Sequence, residues 1–67
     1  MKLTLKQWRG AREISQKEMS ERLDVHINTY QKWEEDPTKI KMVTAQEIAK
    51  IFDVPLDDID FSKGETA

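Results

Sequence analysis

The stretch over residues 15–34 constrains the fold most, because it predicts two short helices joined by a tight turn. Ser15 and Glu18 have the spacing of a capping box. In that motif the Ser hydroxyl accepts an N–H of the first turn, and the Glu carboxylate accepts the Ser N–H. A helix is therefore expected to begin near Gln16.

A second helix is indicated directly after the first. The apolar positions keep a helical spacing on both sides of a break: Met19 and Leu23 before it, and Ile27, Tyr30 and Trp33 after it. Such spacing places each set on one buried face. Asp24 interrupts the pattern, so the second helix is expected over about residues 27–35. The whole stretch predicts a helix-turn-helix.

The segment before this motif predicts another helix. Thr4 and Gln7 form a second capping box. The helix that it opens is expected to run through about Arg12, with Leu5 and Trp8 on one face.

The segment after the motif predicts a loop and two further helices. Pro37 and the lack of a helical period favour a loop over residues 36–41. Thr44 and Glu47 have the spacing of a third capping box and predict the start of a fourth helix. Its inner face consists of Ala45, Ile48, Ala49 and Phe52. A short fifth helix is expected over residues 54–59, in a domain of residues 1–61 with a frayed tail over 62–67.

Composition favours a binding module over an enzyme. A chain of 67 residues forms one domain with no room for an enzyme cleft beside its core. It has no Cys and one His, which argues against a disulfide framework, a Cys-based zinc site and a His-cluster metal site. The acids Asp57, Asp58 and Asp60 lack the Gly and terminal Glu of a calcium loop. The polar N-terminus resembles neither a signal peptide nor a membrane span, so a cytoplasmic location is expected.

The charge of the chain is polarised. The net charge is −2, which argues against a nucleic-acid partner when taken as a total. Residues 1–33, however, hold seven Lys or Arg against four Asp or Glu, whereas residues 34–67 hold four against nine. Because screened charges act over about 8 to 10 Å, the local field at a docking face matters more than the total.

The arrangement resembles the helix-turn-helix of the phage repressor and Cro proteins, often called the XRE family, over about residues 3–60. The matching residues are Arg9, Arg12, Ile14, Ser15, Gln16, Met19, Leu23, Val25, Tyr30, Trp33, Glu34, Ala49 and the ending over residues 54–59. The resemblance implies an all-α, five-helix, lambda-repressor-like domain. It also gives an alternative start for the fourth helix, one turn before Thr44, near Met42. Asp24 and Asp36 stand where the family usually has Gly, and Asp tolerates the left-handed backbone that Gly provides there.

The resemblance also implies a DNA-binding surface, with the second helix of the motif in the major groove. The residues that match base-reading positions are Gln16, Ile27, Asn28 and Lys32. Asn28 can bridge adenine N6 and N7, Lys32 can donate to guanine, and Ile27 can contact a thymine methyl. Candidate contacts to the DNA backbone are Lys17, His26, Thr29, Gln31, Lys39 and Lys41. No cofactor is implied.

Two structural roles follow from the same resemblance. In the family the Arg at the place of Arg9 pairs with the Glu at the place of Glu34, so this ion pair is expected here. Domains of this kind usually bind DNA as homodimers. The apolar candidates for a dimer interface are Leu56, Ile59 and Phe61, which could instead close the core.

The main rival is a protein-interaction module, antitoxin-like or a co-regulator, that keeps this fold. The acidic balance and an exposed Ile27 would suit a protein partner. An enzyme is a weaker rival, since Ser15, Ser20 and Ser62 lack the surroundings of a nucleophile. Steep salt dependence would favour DNA, because counterion release accompanies phosphate contacts.

Overall fold

The computed structural model describes residues 1–62. Its elements in chain order are β1 (Leu3–Thr4), α1 (Leu5–Ala11), α2 (Gln16–Arg22), α3 (Ile27–Glu35), a first 3₁₀ helix (Pro37–Lys39), α4 (Met42–Phe52), a second 3₁₀ helix (Leu56–Asp58) and β2 (Ile59–Asp60). The described chain is therefore mostly helical, with four α-helices rather than the five that we expected. The predicted tail from residue 63 onward lies outside the described residues.

The short helix α1 begins with the predicted capping box. The Thr4 side chain accepts from the Gln7 N–H, and the Gln7 side chain accepts from the Thr4 N–H, at 3.2 and 2.9 Å. The helix ends in a reversal at Glu13, whose φ is 57°. This turn brings Ile14 into the core.

The predicted fifth helix is wrong, because the chain extends into a strand instead. After Pro55 it makes one 3₁₀ turn, and then Ile59 pairs with Leu3 in a parallel two-stranded sheet. The Trp8 Nε1–H donates to the Asp58 carbonyl at 2.8 Å. This bond and the burial of Ile59 hold the segment extended along β1.

The core lies between the four α-helices and β2. Its members are Leu5, Trp8, Ile14, Met19, Tyr30, Ile48, Ala49, Phe52 and Ile59. Ile59 is only 2% exposed and closes the core of one chain, which is the alternative that we left open for it. Leu56 and Phe61 are partly buried and pack against the same core. Trp33, which we expected in the core, is also only partly buried.

The fourth helix starts earlier than the Thr44 capping box predicted. It begins at Met42, after Lys41, which confirms the alternative start. It ends at Asp53, which takes up the left-handed conformation with φ 59°. Asp24 is left-handed as expected, with φ 57°. Asp36 is not, since its φ is −141°; its side chain accepts from the Thr38 N–H and caps the first 3₁₀ helix.

Candidate nucleic-acid interface

Helices α2 and α3 form the predicted helix-turn-helix. The Ser15 hydroxyl accepts the Glu18 N–H at 3.0 Å and so caps α2. The Glu18 carboxylate accepts from Arg22 at 2.7 Å, so the reciprocal half of the expected capping box is replaced by an ion pair. At the turn, the Val25 N–H donates to the Ser20 carbonyl at 2.9 Å. Ser20 is buried at the helix crossing, where a small side chain allows close approach.

His26 positions the start of α3. Its Nδ1 accepts the Asn28 N–H at 3.1 Å, which makes His26 the N-cap of the helix. From the sequence we predicted His26 only as a contact to the DNA backbone. The cap bond uses Nδ1 as the acceptor, so Nε2 carries the proton of the neutral ring and remains a donor. The first turn of α3 is thus fixed by a side chain of the turn itself.

The helical period of α3 separates a packed face from an open one. Tyr30 is fully buried. Asn28 and Lys32 are exposed and share one face by their i, i+4 spacing. Ile27 is half-buried, and within the described residues it is not among the side chains packed against the core. Thr29 is exposed as well. Three predicted base-reading residues of α3, Ile27, Asn28 and Lys32, therefore have half-buried or exposed side chains.

Exposed lysines surround this helix-turn-helix in the fold. Lys17 is in the first turn of α2, Lys32 in α3, Lys39 in the first 3₁₀ helix, and Lys41 at the N-cap of α4. Neither of the two ion pairs within residues 1–62 uses a lysine. The ammonium groups are therefore available to an anionic partner.

The expected ion pair joins α1 to the end of α3. Arg9 Nε donates to Glu34 Oε2 at 2.7 Å, and the second guanidinium bond reaches Glu34 Oε1 at 3.3 Å. The two side chains are 16% and 8% exposed. The Tyr30 hydroxyl adds a bond of 2.7 Å to Glu34 Oε2. A buried carboxylate near a helix C-terminus is thereby fully supplied with donors.

The surroundings of Glu34 keep it ionised. Burial raises the pKa of Glu34, but hydrogen bonds from Arg9, Tyr30 and Gln16 outweigh burial and hold that pKa below its usual value. The hydrogen bond to Glu34 raises the pKa of Arg9. Burial, together with the bond to Glu34, raises the pKa of Tyr30 strongly, so its hydroxyl stays a donor.

Gln16 connects this ion pair to the surface of α3. Its Nε2 donates to Glu34 Oε1 at 3.0 Å, and its Oε1 accepts from Gln31 Nε2 at 3.2 Å. Beside these amides lies an open cleft of about 390 Å³, lined by Lys6, Gln16, Gln31, Glu34 and Glu35. Two residues that we predicted to bind DNA separately, Gln16 and Gln31, are thus coupled.

Comparison with known families decides what this arrangement is. The family model described as helix-turn-helix matches residues 5–59. The chain belongs to this helix-turn-helix family, of the repressor and Cro type. No curated protein and no solved structure matches the chain significantly. The family is one of DNA-binding regulators rather than enzymes.

As a helix-turn-helix protein, the chain carries features that its sequence did not reveal. The Tyr30–Glu34 bond has i, i+4 spacing and could have been inferred, whereas the Gln16–Gln31 bond crosses between helices.

Met42 and Val43, at the start of α4, are 62% and 63% exposed. None of the helices within residues 1–62 is long and apolar enough to cross a membrane.

Proposed function

We propose that this chain is a sequence-specific, double-stranded-DNA-binding transcription regulator of the cytoplasm, with α3 as its recognition helix. One observation carries the proposal. The nearly buried Arg9–Glu34 ion pair anchors α3 to α1, while Asn28 and Lys32 are exposed on the outer face of α3. An α-helix with its side chains is about 10 to 12 Å in diameter, which fits a major groove about 12 Å wide.

The side-chain chemistry supports a division into reading and positioning. Asn28 can donate to and accept from adenine, Lys32 can donate to guanine O6 or N7, and Ile27 can meet a thymine methyl. Lys17, Lys39 and Lys41 carry point charges suited to phosphates, and His26 and Thr29 are exposed polar residues that could add contacts. Phosphate contacts set the register, whereas base contacts set the sequence.

We further infer that the protein binds as a homodimer, at least on DNA, because one helix covers only a few base pairs. Two-fold dimers of this kind use half-sites about one helical turn, roughly 34 Å, apart. Leu56 and Phe61 remain candidates for the interface, since each is only partly buried in the single chain.

Salt titration of binding to a selected DNA duplex tests the proposal. Two copies with four phosphate-binding groups each give about eight contacts, so log Kd plotted against log salt is expected to have a slope near 7. One bound copy gives about half this slope. Asn28→Ala is expected to relax preference at one base position, whereas Lys39→Ala weakens all duplexes alike and lowers the slope by about one. A binding constant that is flat in salt would rule out DNA.

Exposed apolar side chains favour a second candidate, a protein-interaction module. Met42 and Val43 present apolar surface at the start of α4, and the net charge of −2 suits a protein partner better than a nucleic acid. Under this alternative, Ile27→Ala and Asn28→Ala leave DNA binding unchanged. Replacing thymine by uracil in the duplex separates the candidates further, since only a thymine contact makes Ile27 sensitive to that methyl group.

A further inference from the structure

A chain of side-chain hydrogen bonds runs from the interior to the surface of the helix-turn-helix. It passes from Arg9 to Glu34, from Glu34 to Gln16 at 3.0 Å, and from Gln16 to Gln31 at 3.2 Å. Its inner end is nearly buried, while Gln31 is half-buried and lines the open cleft. This series of hydrogen bonds therefore links the ionised Glu34 to Gln31, a side chain that solvent reaches.

The donors and acceptors of this chain can be arranged in one direction only. Arg9 has donors alone, and an ionised Glu34 has acceptors alone. Each oxygen of Glu34 already accepts two bonds: Oε2 from Arg9 and Tyr30, and Oε1 from Arg9 and Gln16. Gln16 must therefore turn its NH₂ group toward Glu34. This chemistry fixes an amide orientation that would otherwise be free.

The orientation of Gln16 determines that of Gln31 in turn. With its NH₂ group against Glu34, Gln16 presents Oε1 to Gln31 and can only accept there. Gln31 then gives one N–H to Gln16 and directs its own Oε1 elsewhere. Among residues 1–62, no group donates to this oxygen, and it is not sealed from solvent. Gln31 thus offers an oriented acceptor beside its remaining N–H.

We propose that Gln31 reads a base in the major groove by accepting from an exocyclic amino group, with Gln16 and Glu34 as the positioning residues that orient its amide. This inference rests on the proposed DNA binding, and it changes the role of Gln31 from backbone contact to base contact. A phosphate oxygen could accept the remaining N–H of Gln31, but it has no proton to give to Oε1 and so would meet only one of the two groups. The amino groups of the major groove belong to adenine (N6) and cytosine (N4).

Adenine fits better than cytosine. Its N6 amino group can donate to Gln31 Oε1 while its N7 accepts the N–H that Gln31 does not use toward Gln16. Cytosine offers a donor without the neighbouring acceptor on the same base. The bidentate contact discriminates by about 1 to 3 kcal/mol, or roughly 5- to 140-fold in affinity. One adenine position in the bound site is therefore assigned to Gln31.

Selection from a random duplex library, followed by single-base competition, tests the assignment with the full chain. Gln31→Met keeps the length of the side chain but removes both hydrogen-bonding groups. We expect this variant to lose its preference at one adenine position and to keep every other preference. Lys32→Met is the matched control on the same helix, and it is expected to relax a different position.

A change in the DNA tests the same contact without any risk to folding. The assigned adenine is replaced by the unsubstituted purine base, which lacks the N6 amino group. This change is expected to weaken DNA binding by the wild-type protein roughly 5-fold or more and to leave DNA binding by Gln31→Met unaffected. If the purine duplex binds wild type as well as the adenine duplex does, Gln31 does not read that amino group. If Gln31→Met instead weakens all duplexes equally and lowers the salt slope, Gln31 contacts phosphate and the inference is overturned.

The positioning role of Gln16 has a separate readout. In Gln16→Met the amide of Gln31 loses its fixed partner and can rotate by half a turn, presenting either oxygen or nitrogen. The assigned position should then tolerate guanine and thymine, whose major-groove atoms accept, almost as well as adenine. A Gln16→Met protein that still prefers adenine as strongly as wild type would overturn the positioning role. Wild-type protein that selects no duplex at all would overturn the proposed function together with this inference.

Discussion

Two arginines, Arg9 on α1 and Arg12 at its C-cap, hold the fold together by different chemistry. Arg9 is mostly buried and forms an ion pair with Glu34 of α3. Arg12 is exposed; its Nε donates to the Phe52 carbonyl at the end of α4, at 2.8 Å, and its guanidinium lies 5.1 Å from the centre of the Trp8 ring. The same side chain thus serves once as a charge partner and once as a helix cap. Only the first partnership leaves an unpaired buried charge when it is broken.

The largest expected effect comes from Arg9→Met. It leaves the Glu34 carboxylate, 8% exposed, without its cation, so the free energy of unfolding is expected to fall by about 3 kcal/mol. For a domain of this size, that loss lowers Tm by about 12 to 24 °C. Thermal unfolding of Arg9→Met, Glu34→Leu and the double variant measures the coupling. If the two single effects simply add, the pair contributes no interaction energy.

We call the Arg9–Glu34 contact the Arg9 junction and the Arg12–Phe52 contact the Arg12 junction. Acid is expected to break the Arg9 junction and to spare the Arg12 junction. Because the folded-state pKa of Glu34 lies below its ordinary value of 4.5, the stability from ionised Glu34 is complete above that pH. It is lost as pH falls through the lower folded pKa. Glu34→Gln removes this contribution while other carboxylates, including Asp60, titrate in both proteins. Denaturant unfolding from pH 7 to pH 3 should therefore show the two stability curves converging in acid. A constant gap would contradict the assignment.

The Arg12 junction is expected to respond less. Arg12→Met removes one hydrogen bond to a carbonyl and one exposed cation–π contact, each worth about 0.5 to 1.5 kcal/mol. The hydrogen bond is only partly buried, so water can hydrate the Phe52 carbonyl once the guanidinium is gone. We therefore expect a loss of about 1 kcal/mol, measured by denaturant unfolding. A loss as large as that of Arg9→Met would mean that the two junctions do not differ in kind.

The two junctions also differ in how far the sequence predicted them. The partner of Arg9, Glu34, lies on α3 of the helix-turn-helix, whose helices follow from local spacing. The family resemblance supplied the ion pair itself. The Arg12 junction depends on the conformation of the segment that follows α4. Pro55 and the acids near it predicted a helix by local rules, but Ile59 fills the core and pairs with Leu3, at the other end of the chain. A pairing between distant residues leaves no periodic signal in either segment.

The same distinction applies within the candidate site. Tyr30 and Glu34 are one turn apart on α3, so their bond belongs to local spacing. Gln16 and Gln31 meet only because α2 crosses α3, and either amide alone looks like an ordinary polar surface residue. Positions along the helix could therefore be predicted from the sequence, whereas the orientation of their polar groups required the packed structure.

The smallest expected effect comes from a third arginine, which sets the baseline for the other two. Arg22 forms an i, i+4 ion pair with Glu18 on α2 at 2.7 Å, with the two side chains 47% and 44% exposed. Solvent screens this pair, and both ends remain hydrated when it breaks, so Arg22→Met is expected to cost about 0.3 to 0.5 kcal/mol. The loss should shrink further in 1 M salt, where screening shortens to about 3 Å. Unfolding measured at low and high salt for all three variants would then rank them by burial of the partner: Arg22 nearly silent, Arg12 modest, and Arg9 large and least sensitive to salt. If Arg9→Met lost its effect in salt as Arg22→Met does, the Glu34 carboxylate would be hydrated, and the orientation of Gln16 and Gln31 would lose its fixed origin.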